Sequence, residues 1–130
     1  MKKLGWIVAL LVVVTGLAYA EEGSKTKTLN GAFVWDNGNT TGDLEAVFTP
    51  TDDDGVWDVS FHFEFRGRPH VYSGSAKGSL GEGEFKGRVL NDNKRRTFTF
   101  EGMFADGEFS GTHAEVSDEE SHSTGTLTLR

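Results

Sequence analysis

The chain contains no cysteine. That excludes disulfides, thiolate metal sites, a cysteine nucleophile and a lipid-bearing cysteine. Proline is nearly missing too, with two in 130 residues. Basic residues are scarce: 13 Lys and Arg stand against 20 Asp and Glu, a formal net charge of −7. This is the wrong sign for nucleic acid, whose phosphates need a basic surface. No window after Ala20 carries apolar residues at helical spacing for more than two turns. No serine lies in a Gly-x-Ser-x-Gly elbow, the strand-to-helix turn of many hydrolases. The chain declares no activity, and its length allows one domain.

What is present begins with a leader. Lys2 and Lys3 precede an uncharged run from Leu4 to Ala20, which ends in Ala18-Tyr19-Ala20 before Glu21-Glu22. A short positive start, an apolar centre and small residues three and one before a cut form the layout of an export signal. Cleavage is expected after Ala20, by a bacterial pathway, giving a secreted or periplasmic protein. The alternative is an uncleaved anchor, for which the run is short. Three segments are expected: a cleavable signal peptide at 1–20, a flexible N-terminal segment at 21–28 and one domain at 29–130. Without Lys2 and Lys3 the remainder is more acidic still, and it holds all ten Phe.

Period two recurs through that remainder. Trp57, Val59, Phe61, Phe63 and Phe65 alternate with Asp58, Ser60, His62, Glu64 and Arg66. Phe98, Phe100, Gly102 and Phe104 do the same, as do Leu44, Ala46 and Phe48. Such alternation marks half-buried strands. Turn signals such as Asp52-Asp53-Asp54-Gly55, Gly81-Glu82-Gly83 and Ala105-Asp106-Gly107 divide them. The expected strands are 29–36, 42–50, 56–66, 70–80, 83–90, 96–105, 107–116 and 124–130. Short connections require antiparallel neighbours. The fold class is therefore all-β: an eight-stranded up-and-down meander closed into a small barrel, which removes exposed edges. A two-sheet sandwich is the alternative. Nothing resembles a known family at residue level.

Glycine recurs inside these strands. Gly83-Glu84-Phe85-Lys86-Gly87 is repeated as Gly107-Glu108-Phe109-Ser110-Gly111. An aromatic residue stands two before a glycine at Phe65/Gly67, Tyr72/Gly74, Phe85/Gly87, Phe100/Gly102 and Phe109/Gly111. Glycine allows a barrel strand to coil sharply, and a ring can cover the bare backbone. The inner row of strand 70–80 is small (Gly74, Ala76, Gly78), which either leaves space or receives facing rings.

A meander puts alternate loops at the same end. One end then carries Asp52 to Asp54, Glu82, Glu84, Asp106 and Glu108. The other mixes Arg66, Arg68, His70, Lys94, Arg95 and Arg96 with Asp118, Glu119, Glu120 and His122. Barrel mouths and longer loops are common binding places, so the mixed end is the expected site. Arg66, Arg68, Lys94, Arg95 and Arg96 are candidates for contact with another exported protein, or for pairing with the acidic loop. Trp35, Tyr72, His113 and Glu115 fall on the inner rows there and are candidates for a small ligand. No catalytic residue is assigned. An enzyme using His113 as acid or base, oriented by Glu115, is one alternative, and an outer-membrane barrel with its apolar rows facing lipid is another.

Metals and cofactors are not expected. His62-x-Glu64 and His113-x-Glu115 each pair ligand types on one face of a strand, but the alternation puts the first outside and the second inside. Asp52-Asp53-Asp54-Gly55 lacks the alternate spacing and distal Glu of a calcium loop. Asn39-Thr40-Thr41 has the form of a glycosylation sequon and reads as a turn. The resulting expectation is a non-enzymatic exported barrel that binds a small ligand or an exported protein, with no stable membrane association after cleavage.

Overall fold

The computed structural model describes residues 25–36, 40–91, 93 and 95–130. The expected leader and Lys94 lie outside the described residues. Eight strands follow in order: β1 Lys27–Trp35, β2 Thr41–Pro50, β3 Val56–Phe65, β4 Arg68–Gly78, β5 Gly83–Asn91, β6 Thr97–Ala105, β7 Glu108–Ser117 and β8 Glu120–Leu129. Each pairs antiparallel with the next, and β8 closes on β1. The sandwich alternative is thereby excluded.

Tight turns fix much of the register. Arg66-Gly67, Asp106-Gly107 and Asp118-Glu119 are two-residue connections with positive φ at both positions. That is the mirror-image turn whose twist matches antiparallel strands. Asp118-Glu119 manages it without glycine.

Two boundaries differ from expectation. β1 begins at Lys27, which pairs with Phe48, so the strand takes in the last residues of the supposed flexible segment. β8 begins at Glu120 rather than 124, so the supposed long loop at 117–123 is a hairpin tip. Ser121, His122 and Ser123 are exposed. A ladder that rises past the core keeps its backbone bonds while its side chains lose the apolar alternation that marks a strand.

The apolar rows point inward. Phe48, Phe85, Phe104, Phe109 and Leu129 are all less than 2% exposed and fill the half of the barrel near the acidic turns. Their rings meet mostly edge to face, as Phe48–Phe85 at 5.5 Å and Phe85–Phe104 at 5.3 Å do, the favoured geometry for aromatic pairs. That end is also tied across its turns. The Gly78 N–H donates to the Gly55 carbonyl at 2.9 Å, and the Trp57 indole N–H donates to the Gly78 carbonyl at 2.9 Å.

Rings do cover glycines, but mostly from the neighbouring strand. A Cβ on Gly87 would lie 2.7 Å from the Phe100 ring, and one on Gly78 would lie 2.7 Å from the Phe85 ring. Only Phe109 lies over the glycine two residues after it, Gly111, and it also covers Gly102. Of the small residues of β4, Gly78 receives a facing ring, whereas Gly74 lies against the backbone of Arg88 and Val89. The outer wall is polar, with Glu45, Asp58, His62, Lys86, Arg88 and Glu101 exposed along it.

Candidate functional site

Toward the mixed-charge end the filling stops. A cavity of about 150 Å³ opens there, and rings make most of its wall. Trp35 enters from the end of β1, Tyr72 from β4, Phe98 from β6 and His113 from β7. Three of the four expected ligand-binding residues, Trp35, Tyr72 and His113, therefore share one cavity. Phe63 adds a fifth surface, stacked on His70 at 5.4 Å and on Tyr72 at 5.7 Å.

The fourth, Glu115, does not line the cavity. It lies opposite Phe98 on the inner row and binds the Arg96 guanidinium in two places. Nε donates to Oε2 at 3.0 Å and Nη2 donates to Oε1 at 2.9 Å. This pairing holds the Glu115 carboxyl below its ordinary range and raises the Arg96 guanidinium above its own. The Arg96 guanidinium carbon sits 5.0 Å above the Phe98 ring and 5.8 Å from that of Trp35, and Arg96 also hydrogen-bonds the Tyr72 side chain.

Arg96, expected at a partner surface, is exposed over 44% of its side chain and also borders the cavity. It stands two before Phe98 on the same row. Its loop is fixed by Asn91, whose Oδ1 accepts from the N–H groups of Arg95 at 2.9 Å and Arg96 at 3.2 Å. Side-chain capping of this kind is what asparagine does in turns. Arg66, Arg68 and Arg95 remain exposed on the rim, with Arg66 folded over the Phe65 ring at 5.2 Å.

His113 is held at a bulge. The β7–β8 register shifts between His113 and Ala114, leaving Thr124 as the extra residue. Nδ1 of His113 lies 2.7 Å from Thr124 Oγ1, and Nε2 lies 3.2 Å from the Val34 carbonyl. A carbonyl only accepts, so Nε2 carries a proton. In the neutral ring Nδ1 accepts from the Thr124 hydroxyl. In the charged ring Nδ1 donates, and the hydroxyl can turn to the His113 carbonyl oxygen, 3.1 Å away. Glu115 takes no part, so the structure does not bring the proposed acid–base pair together. His62 and Glu64 are exposed on the outer wall, away from His113.

Burial lowers the His113 pKa below its ordinary 6.5, against smaller opposing effects of the Val34 carbonyl and Asp36. Below about pH 6.5 the unfolded chain then binds a proton that the native state takes up only at lower pH. Stability falls as pH falls through that window and is unaffected by His113 above it. Urea unfolding at pH 7.5 and 5.0 is expected to show a smaller loss on acidification for His113→Gln than for the wild type. Equal losses would mean that the ring is not held neutral.

No family model matches the chain, and no curated protein is similar to it at a significant level.

Proposed function

We propose that this chain is an exported, non-enzymatic binding barrel that takes a small, mainly apolar ligand into its mixed-charge end. The cavity carries the reading: a ring-lined space of about 150 Å³ opening beside a charged rim. An enclosed apolar cavity of about that volume holds benzene, so the space here suits a molecule of one ring. Export is supported by the leader layout at Met1 to Ala20.

The non-enzymatic part rests on His113, whose two ring nitrogens both have protein partners. A free membrane-spanning barrel would need an apolar outer band, whereas charged residues stand along this wall. The exposed Arg66, Arg68 and Arg95 support a second reading, contact with another exported protein at the rim.

Titration with ethylbenzene, followed by the indole N–H resonance of Trp35, tests the first reading. A saturable shift is expected in the wild type. Leu44→Phe, which adds a ring to the cavity wall, is expected to weaken binding at least tenfold. No shift in the wild type would refute the reading.

A further inference from the structure

The cavity wall is apolar except at its outer end, and Arg96 dominates the polarity there. A guanidinium has five N–H groups. Two go to Glu115 and one to the Tyr72 hydroxyl. Among the described residues no other hydrogen bond occupies the guanidinium, which leaves donors for a further acceptor. Glu115 is absent from the cavity wall, so it holds the guanidinium from behind. The planar group also rests against the faces of Phe98 and Trp35. Five features thus fix one donor group: two carboxylate bonds, the Tyr72 bond and two ring faces.

The charge at this donor is already balanced. A bidentate carboxylate is the strongest partner a guanidinium finds among side chains. An anionic ligand would have to share Arg96 with Glu115 in a chain of formal charge −7. An uncharged oxygen acceptor meets no such repulsion. The remaining wall offers ring faces and edges, which suit an aromatic ring, and the volume suits one ring rather than two.

We propose that the ligand is an uncharged single-ring aromatic molecule bearing one oxygen acceptor at its outward end, and that Arg96 donates to that oxygen. This rests on the cavity reading above. Glu115 acts as a positioning residue, which neutralises Arg96 and aims it.

Calorimetric titration of the protein with acetophenone, ethylbenzene and benzoate separates the possibilities. Acetophenone is expected to bind roughly tenfold or more tighter than ethylbenzene, the worth of one hydrogen bond from a charged donor. Benzoate is expected to bind more weakly than acetophenone. In Glu115→Gln, benzoate should gain at least several-fold while acetophenone changes little. In the double variant Arg96→Met/Glu115→Met, the acetophenone preference should vanish while ethylbenzene still binds, which also reports an intact barrel. Equal binding of acetophenone and ethylbenzene by the wild type would overturn the assignment of Arg96 and leave the cavity reading standing. Tightest binding of benzoate would make the ligand an anion and overturn the proposal's neutrality. Failure of all three to bind would overturn both readings.

Discussion

Phe85→Ala is expected to cost about 3–5 kcal/mol, the range for removing a buried phenylalanine ring. Phe85 is 1% exposed, and its ring lies within 5.3–6.3 Å of those of Phe48, Phe100, Phe104 and Phe109. Four aromatic neighbours on three other strands and its own ladder partners cannot all move inward to close the hole. A domain of this size has about 5–15 kcal/mol of stability in total, so the variant stands near the edge of folding. Urea unfolding followed by circular dichroism measures the loss. A cost below about 1.5 kcal/mol, as for a readily relaxed site, would show that the half of the barrel near the acidic turns is not packed as described.

Gly125→Ala is expected to be nearly as damaging, at about 3 kcal/mol from overpacking and a lost hydrogen bond. A Cβ at Gly125 would overlap the Val34 carbonyl oxygen and reach within 2.7 Å of His113 Nε2. That carbonyl is backbone on the adjoining strand, so it yields only if the β1–β8 seam widens. The same carbonyl accepts from His113, so the imidazole loses its seat as well. The double variant His113→Ala/Gly125→Ala separates the two effects. Trimming the ring leaves the carbonyl overlap, so stability is not expected to return. Recovery in the double variant would place the conflict at the ring instead. Thermal unfolding of the three chains decides between these outcomes.

The barrel was legible because an apolar row needs only one dimension. Trp57 to Phe65 shows both its strand and its buried face without reference to any neighbour. Partnership across strands needs register, which alternation does not state. Phe100 was expected to cover Gly102, two residues on, whereas it faces Gly87, its ladder partner on β5. Glu115 was placed on the correct row, yet its partner is Arg96, just before the neighbouring strand β6, not His113 two residues back. The start of β8 was missed for a different reason. Glu120 to Ser123 stand above the core, where no apolar contact selects one face of the strand. Arg96 was legible as an exposed rim residue, while its contact with the cavity depends on the Glu115 pairing, which alternation does not state.

The β1–β8 seam has a further meaning for a chain without cysteine. Seven of the eight pairings join strands adjacent in sequence, while the eighth brings Gly31 against Leu129, 98 positions away. Loop-closure entropy rises only with the logarithm of length, about 4 kcal/mol for such a span beyond a constant. Once the hairpins have formed, most of that chain is already ordered and the true search is smaller. Five register pairs from Gly31 to Trp35, together with the Asn30–Arg130 bonds at 2.8 and 2.7 Å, then hold the two ends of the domain together. A ring of backbone hydrogen bonds thus makes the long-range connection that a covalent cross-link makes in many small exported domains.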